Sequence, residues 1–360
     1  MRRVFSAVHL KDIILVITAF IAFIVITSVV IVGLGNNKTL NISKDSVNKN
    51  GKNKNGENEN VENKSIVNYD SLPKITKVKV FITKENTIKE INLEDYVTGV
   101  VAAEMPATFG IEALKAQAVA SRTYALAHVT LLGGIACKNG RGANLCDKTH
   151  CQVYRTKAEQ IKTWNVKQSE SEKYWSKIKN AVESTAGQVL TYNKNLVMEP
   201  YYFANSSGKT ENSEDVFSNS IPYLRSVESP GEEKTKNFKS SKDFGYKELS
   251  RIINSNYNNA KVTSVSIKKQ ITVIDRTQAG SVKNIKVGSI TMTGGKFRTM
   301  LGLKSSNFKI KFNLSGIEVE CSGYGHDVGM SQNGANAMSK KGKNYVLILA
   351  HYYQGTSISK

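Results

Sequence analysis

The chain has 360 residues, which is enough for one large domain or two modest ones. Its 50 lysines and arginines outnumber its 30 aspartates and glutamates, which gives a formal net charge of +20. This excess favours an anionic partner such as nucleic acid, acidic lipid or a cell-wall polymer. The topology predicted from the N-terminal segment argues against nucleic acid.

Residues 13–34 form an apolar run of roughly 22 residues without a charge, long enough to span a bilayer as a helix. Arg2, Arg3 and Lys11 precede the run, so the positive-inside rule places the short N-terminus in the cytoplasm and the rest outside the membrane. A cleaved signal peptide is the alternative, but the run is long for that purpose and no small-x-small cleavage site ends it. Residues 1–35 are therefore expected to be a cytoplasmic tip and a single-pass anchor in the cell membrane.

Residues 36–72 are rich in Asn, Lys, Glu, Gly and Ser and poor in apolar side chains. Such a composition cannot bury enough surface to offset the entropy lost on ordering, which predicts a disordered linker. The folded, extracytoplasmic domain is then expected at residues 73–360.

The folded part opens with patterns typical of a hairpin and a helix. Apolar residues alternate with polar ones over 78–82, and polar residues follow, which predicts a β-hairpin. Asn92, with Asp95 three residues later, predicts a helix start with a partial capping box. Because Pro106 disfavours a helical residue before it, this helix is expected to end near Met105.

Further helices are predicted at about 112–128 and 170–185, the second followed by a strand at 188–192. Helices that come early and strands that come late predict an α+β domain, in which helices pack with antiparallel strands. The late strands are predicted at 262–267, 271–274, 289–292, 308–312 and 317–321.

Glu104 is the first candidate for chemistry. Val97, Val100, Val101 and Glu104 share one stripe of the first helix, the face expected to pack inward. Glu104 also falls in the last turn, where the negative end of the helix dipole opposes an ionised carboxylate, and burial acts in the same direction. A carboxyl that stays protonated near neutral pH is what a general acid needs. From the residues alone, a structural Glu with a backbone or basic partner is an equal alternative.

Arg122 and Lys115 lie on the next predicted helix. Arg122 follows a run of Ala and Ser, so the helix can pack closely and the guanidinium must find an acceptor. It either binds a substrate carboxylate in a cleft or forms a salt bridge to a neighbouring helix. Lys115 is either a substrate contact or a solvated charge.

An aromatic strand around Tyr202 runs into a loop that contains Ser206 and Ser207. Aromatic faces suit sugar rings, and hydroxyls with backbone amides suit sugar hydroxyls, so these three residues are candidate substrate contacts. An ordinary strand and turn is the alternative.

Cys137, Cys146 and Cys151 lie in one short, Gly-rich loop, and His150 precedes the last of them. A Cys3His set is typical of a closed, tetrahedral structural zinc site, which is the prediction for the loop 137–151. A disulfide is the alternative, because disulfides persist outside the membrane. Cys321, in a predicted strand, is expected to be a buried free thiol.

Four segments, at 100–124, 147–154, 203–210 and 325–335, resemble in their order and content the stage II sporulation protein D family. These are membrane-anchored lytic transglycosylases of spore-forming bacteria. The resemblance runs from about residue 75 to the C-terminus. It implies that Glu104 is the catalytic acid and that Gln332 joins the candidate substrate contacts. Asp327 stands where the family usually has Gly, so His326 is given no catalytic role and its loop is expected to pack beneath the cleft.

The resemblance further implies cleavage of peptide-stripped glycan between MurNAc and GlcNAc, which leaves 1,6-anhydro ends and drives septal wall degradation and engulfment. It also implies two partners, stage II sporulation protein P, an amidase, and stage II sporulation protein M, a membrane protein. Two other functions stay open. One is a non-catalytic, glycan-binding activator of a cell-wall amidase, which would not need Glu104. The other is a zinc hydrolase, which would need an open three-ligand site.

Overall fold

The computed structural model describes residues 69–236 and 238–360. The predicted anchor at 13–34 and nearly all of the predicted linker at 36–72 lie outside these residues. In the described part of the chain, no helix has both the length and the apolar character needed to cross a membrane. The described residues combine helices with mostly antiparallel strands, which confirms the α+β prediction.

Helices and strands are numbered here in chain order. The α-helices are α1 Leu93–Glu104, α2 Ile111–Leu126, α3 Lys157–Trp164, α4 Gln168–Glu183, α5 Ser213–Phe217, α6 Tyr246–Asn256, α7 Ile267–Gln270, α8 Gly294–Leu301, α9 Gln332–Lys340 and α10 Tyr345–Tyr352. The strands are β1 Lys77–Ile82, β2 Thr87–Asn92, β3 Leu145–Cys146, β4 Val189–Tyr192, β5 Asn195–Leu196, β6 Tyr202–Phe203, β7 Lys239–Gly245, β8 Ile271–Arg276, β9 Val282–Val287, β10 Ile290–Thr293, β11 Phe308–Phe312, β12 Gly316–Ser322, β13 Met330–Ser331 and β14 Ser357–Ser359.

The predicted hairpin is confirmed as β1 and β2, which pair antiparallel. β3 adds to the other edge of β1 in parallel, with Cys146 opposite Phe81. This pairing ties the cysteine loop to the first strand of the domain.

The start of α1 only partly follows the prediction. Asn92 is the N-cap residue, but its side chain donates to the carboxylate of Asp95 (Nδ2 to Oδ2, 3.3 Å) and makes no capping bond to the backbone. The predicted capping box is therefore wrong. The predicted end is confirmed, because α1 stops at Glu104 and Met105 takes an extended conformation (φ −117°, ψ 138°) before Pro106.

α2 lies at the centre of the larger hydrophobic core and confirms the helix predicted near 112–128. It is rich in alanine and is buried along most of its length, so neighbouring helices approach it from several sides. α1, α4, α9 and α10 all contact it. Because α1 and α9 both pack on α2, the side chains at the ends of these two helices are held in fixed positions relative to each other.

A second hydrophobic core is built from residues between Phe244 and Cys321. It contains two antiparallel sheets, ordered β7-β12-β11 and β8-β9-β10, with α6 and α8 packed against them. Four of the five predicted late strands are confirmed as β8, β10, β11 and β12.

The strand predicted at 262–267 is wrong. This segment turns, and Ile267 begins the short helix α7. The hydroxyls of Thr263 and Ser266 bond to each other at 2.6 Å and to each other's backbone N–H, which satisfies the segment locally. Val265 consequently points into solvent and is 92 % exposed.

A short parallel pair, β6 with β13, joins two distant parts of the sequence. Tyr202 lies opposite Met330 and Phe203 opposite Ser331, directly before α9 begins at Gln332. Buried Glu232 reinforces the junction by accepting a hydrogen bond from the hydroxyl of Ser331 at 2.6 Å. The aromatic strand and the start of α9 are thereby brought to the C-terminal end of α1.

Candidate active site

Glu104 lies at the end of α1 with its carboxyl partly buried. Its Oε1 accepts the backbone N–H of Val153 at 2.7 Å, and the side chain of Gln332 makes a second hydrogen bond to it. Burial raises the pKa of Glu104 above its ordinary value, whereas the two hydrogen bonds and the charge of Arg155 oppose the rise without cancelling it. The carboxyl therefore keeps its proton to a higher pH than a free Glu.

A cleft of about 350 Å³ opens beside Glu104. Six of its thirteen lining residues are Tyr or Phe, a lining suited to the faces of sugar rings. Tyr202, a predicted contact, lies in this lining, and so do His150 and Cys151 of the cysteine loop. The aromatic side chains that line it are Tyr124, Tyr201, Tyr202, Phe203, Phe217 and Tyr324.

A hydrogen-bonded chain of polar side chains lies behind the cleft and fixes its geometry. The hydroxyl of Tyr202 donates to Oε1 of Gln152 at 2.8 Å, and Gln152 in turn donates to the hydroxyl of Tyr96 at 3.3 Å. Gln332 donates to Gln117 at 3.4 Å. Ser121 joins the two sets, because its hydroxyl accepts from Gln117 at 2.9 Å and its carbonyl accepts from Gln152 at 3.3 Å. This network holds Gln332 where it meets the carboxyl of Glu104. Its position is that of a group orienting the acid.

His326 lines the cleft, and its ring packs against neighbouring aromatic side chains. Its ring lies 5.4 to 6.1 Å, centroid to centroid, from the rings of Tyr201, Phe203 and Phe217. Its Nδ1 accepts the backbone N–H of Val328 at 3.2 Å. Burial lowers the pKa of His326 to about 4, so the ring is neutral at physiological pH. These contacts confirm that the loop packs against the cleft.

Arg122 does not reach this cleft. Its side chain is completely buried, and it forms a two-pronged ion pair with Glu94 (Nε to Oε1, 2.9 Å; Nη2 to Oε2, 2.5 Å). Its remaining donors bond to backbone carbonyls, among them that of Gln188 at 3.0 Å. The prediction that Arg122 binds substrate is therefore wrong, and the salt-bridge alternative is the correct one. Arg122 joins α2 to the start of α1 and to the segment before β4.

The remaining predicted contacts also lie outside the cleft. Lys115 pairs with Glu112 at 2.8 Å. Ser206 is completely buried, with its hydroxyl accepting the backbone N–H of Gly208 at 3.2 Å. The hydroxyl of Ser207 accepts from Asn307 at 3.0 Å. None of the three lines the cavity beside Glu104. The complete burial of Ser206 contradicts a substrate contact by its side chain, whereas substrate binding by Lys115 and Ser207 stays a prediction.

The predicted metal ligands converge. The ligand atoms of Cys137, Cys146, His150 and Cys151 all lie within 4.8 Å of one another. The sulfurs of Cys146 and Cys151 are 3.7 Å apart, and Nδ1 of His150 is 3.3 Å from the sulfur of Cys137 and 3.7 Å from that of Cys151. Zn–S bonds of about 2.3 Å in a tetrahedron place sulfurs about 3.8 Å apart, whereas a disulfide needs about 2.05 Å. The four residues could thus hold a metal ion.

This Cys3His cluster adjoins the acid. His150 and Cys151 line the cleft, and the chain continues from them to Val153, which donates to Glu104. Cys321 lies apart in β12, where it is a buried free thiol as predicted.

Sequence reasoning missed several residues of the site. Val153 acts through its backbone N–H, for which no side-chain pattern exists. Tyr124 and Tyr324 lie within or beside the recognised motifs, but nothing in those motifs distinguishes an aromatic residue of the cleft from one of the core. Phe217 offered a signal, since it is an aromatic residue in a polar segment, and it is 39 % exposed.

Comparison with known proteins finds a matching family model and several similar proteins. A family model described as stage II sporulation protein matches residues 82–192, which include Glu104 and all four cluster residues. The chain is 40 % identical over 283 residues to stage II sporulation protein D of Bacillus subtilis, covering 79 % of each chain. It is 38 % identical to the protein of the same name from Bacillus amyloliquefaciens, covering 79 % of this chain and 78 % of that one. It is also 29 % identical to the amidase enhancer of Bacillus subtilis, covering 72 % of this chain but 40 % of that protein.

Proposed function

The chain belongs to the stage II sporulation protein D family, and from that membership we propose that it is a sporulation-specific peptidoglycan lytic transglycosylase. Its proposed substrate is glycan already stripped of stem peptides. One observation carries the proposal: Glu104 has a raised pKa and fixed hydrogen bonds at the edge of an aromatic cleft.

The proposed reaction uses Glu104 twice. The carboxyl first gives its proton to the glycosidic oxygen between MurNAc and GlcNAc, and the bond from this oxygen to the anomeric carbon of MurNAc breaks. The carboxylate then takes the proton of the C6 hydroxyl of the same MurNAc, while O6 attacks the anomeric carbon. The carboxyl has regained its proton, the product ends in 1,6-anhydro-MurNAc, and no water is consumed.

The lining of the cleft supports a mechanism with one carboxyl group. Most glycosidases need a second carboxylate as base or nucleophile. Among the described residues that line this cleft, Glu104 has the single carboxyl group. An internal C6 nucleophile removes the need for a second one.

We also propose that the Cys3His cluster binds zinc and that this zinc is structural. Four protein donors complete a tetrahedron and leave no position for water, which disfavours the zinc hydrolase alternative. The ion would supply a crosslink that holds residues 137–151. This loop leads to Val153, so the crosslink would keep the Val153 N–H in line with Glu104.

The proposed setting is the sporulation septum, with residues 13–34 as membrane anchor and the catalytic domain outside. The net charge of +20 suits an acidic glycan. The proposed partners are stage II sporulation protein P, which would strip the peptides, and stage II sporulation protein M. The proposed location and both proposed partners rest on family membership.

A second candidate function is a glycan-binding activator of an amidase. It is favoured by the similarity to a protein named amidase enhancer. The two functions differ in their products. Peptide-free glycan strands incubated with the purified protein and examined by mass spectrometry should carry new anhydro ends. New reducing ends would indicate a hydrolase, and intact strands would indicate a binding module.

A further inference from the structure

A second cavity of about 380 Å³ adjoins the acid cleft. It lies between the turn of the β1–β2 hairpin, residues 147–156 and the start of α3. Thr149 lines both cavities, and Val153, whose N–H bonds to Glu104, lines the second. The volume falls in the roughly 300–1,000 Å³ range of small-ligand sites. The two cavities therefore meet at Thr149, close to the segment that holds Glu104.

The acidic residues that line the second cavity are already engaged. Glu85 pairs with Lys89 at 2.7 Å. Asp147 accepts the backbone N–H of Thr83 at 3.3 Å. Glu159 caps α3 by accepting the backbone N–H of its N-cap residue at 2.9 Å.

The basic residues of the same cavity are not neutralised to the same degree. The ammonium group of Lys148 is 4.0 Å from Asp147, the outer limit of an ion pair. Within the described part of the chain, Lys84 and Arg155 have no carboxylate within that distance. The cavity therefore offers positive charge to a ligand.

Arg155 is the best placed of these cations. It is half-buried, and Nη1 donates to Oε1 of Gln160 at 3.1 Å, while Gln160 itself is buried. This bond holds the guanidinium without using all of its donors. Its charge also reaches Glu104, where it acts to lower the pKa. The guanidinium thus belongs to the second cavity and acts electrostatically on Glu104.

We propose that Arg155, assisted by Lys84 and Lys148, binds the lactyl carboxylate of a muramic acid residue next to the bond that Glu104 cleaves. This inference rests on the proposed function and adds its specificity determinant. A stem peptide converts the lactyl carboxylate into a neutral amide, so a cationic subsite distinguishes stripped strands from intact ones. A guanidinium can bind such a carboxylate through two parallel hydrogen bonds. Arg122, which is paired with Glu94 in the core, cannot serve this purpose.

The carboxylate would also influence the acid. With an empty subsite, the charge of Arg155 lowers the pKa of Glu104. A bound carboxylate offsets that charge, so the pKa of Glu104 rises and the group keeps its proton. A stripped strand would thereby favour the protonated form needed for the first step.

The test uses the full-length chain and two substrates. One is peptide-free glycan with free lactyl carboxylates, and the other is the same glycan after conversion of the carboxylates to methylamides. Wild type should cleave the free form with a KM at least about tenfold lower, the scale of one charged hydrogen bond. Arg155→Gln should remove this preference, by raising the KM for the carboxylate form and leaving the amide form little changed. Arg155→Lys should restore part of it.

Matched variants separate recognition from folding and net charge. Arg251→Gln, at an exposed position of α6 that lines neither cavity, removes the same charge and should leave both KM values unchanged. If Arg155→Gln fails to fold, the double variant Lys84→Gln/Lys148→Gln alters only exposed side chains and should still weaken the preference. Equal KM values for the two glycans in wild type would overturn the inference, as would equal weakening of both in Arg155→Gln.

Failure of the proposed function has a different outcome. If wild type leaves no anhydro ends on either glycan, the transglycosylase proposal is wrong. Calorimetric binding of both glycans to Glu104→Gln still decides the subsite. If Glu104→Gln binds the carboxylate form more tightly, and adding Arg155→Gln removes this preference, the proposed subsite is supported. Equal affinities for the two glycans would contradict it.

Discussion

Val153 donates its backbone N–H to Oε1 of Glu104 across 2.7 Å, and it follows Cys151 closely in the chain. The candidate acid is therefore held by the same loop that presents the Cys3His cluster. A change in the loop can alter the acid without touching its side chain. Two kinds of substitution can therefore be distinguished, one that removes the proton donor itself and one that changes the loop that positions it.

Replacing the proton donor is the direct test of the acid. Glu104→Gln should lower cleavage at least about a hundredfold, the usual contribution of a general acid, and should leave glycan binding intact. Gln keeps an oxygen for the Val153 N–H, so the thermal midpoint should change little. Product analysis by mass spectrometry and binding by calorimetry measure the two effects. Glu248→Gln, at an exposed site on α6, is the matched control and should retain full activity. Near-normal turnover in folded Glu104→Gln would rule out the single-acid mechanism.

Removing a cluster ligand tests the support. Cys146→Ser should lower metal content and thermal stability together, because binding of a structural metal is coupled to folding. Activity should fall as well, since the loop positions Val153. Elemental analysis and thermal unfolding measure these effects. Cys321→Ser changes another buried thiol, in β12, and should keep its metal. Wild-type protein that contains no metal, with a Cys–Cys crosslink in its peptide map, would establish the disulfide alternative.

The sequence was sufficient wherever local patterns determine the structure. The alternation of apolar and polar residues predicted β1 and β2, and Pro106 predicted the end of α1. The stripe of valines on α1 predicted the burial of Glu104. The cysteine cluster was also predictable, because its ligands lie close in the chain and His150 directly precedes Cys151.

It was not sufficient where partners come from distant parts of the chain. Arg122 was expected to need an acceptor, but local spacing does not identify Glu94, on the neighbouring helix, as that acceptor. Ser206 lies in a hydroxyl-rich loop that resembles a sugar site, yet its backbone N–H bonds to buried Glu232, which only the fold brings near. In both cases a contact with a distant residue satisfies the hydrogen-bonding group that the sequence suggested for substrate binding.

Buried Glu232 gives the fold a pH dependence. Burial raises its pKa from 4.5 to about 7, although the hydroxyls of Ser229 and Ser331 and the N–H of Ser206 oppose the rise. The native state therefore holds this proton at pH values where the unfolded chain has lost it. The stabilisation is complete below about pH 4.5 and is lost as the pH rises through about 7. It amounts to about 3 kcal/mol across that window.

Urea unfolding at pH 5 and pH 8 measures this effect. Wild type should have a lower free energy of unfolding at pH 8, and Glu232→Gln should reduce the difference between the two values. Some difference should remain, because burial also raises the pKa values of Glu211 and Asp327. Glu248→Gln should leave the difference unchanged. Greater stability at pH 8 in wild type would contradict the assignment.

Removing residues 1–68 should leave a stable domain that is active in solution and fails in the cell. The cut must spare Tyr69, whose backbone N–H donates to the carbonyl of Lys194 at 2.8 Å, and Leu72, which packs on the larger core. Removing residues 1–76 deletes both and should lower the thermal midpoint, so the pair of truncations locates the boundary.

In the cell, loss of the predicted anchor removes the high local concentration that a tether provides. We therefore expect normal cleavage of stripped glycan in solution together with blocked septal thinning and engulfment. A 69–360 protein that is inactive in solution would place the boundary earlier, whereas one that reaches the same compartment and restores engulfment would make the anchor dispensable.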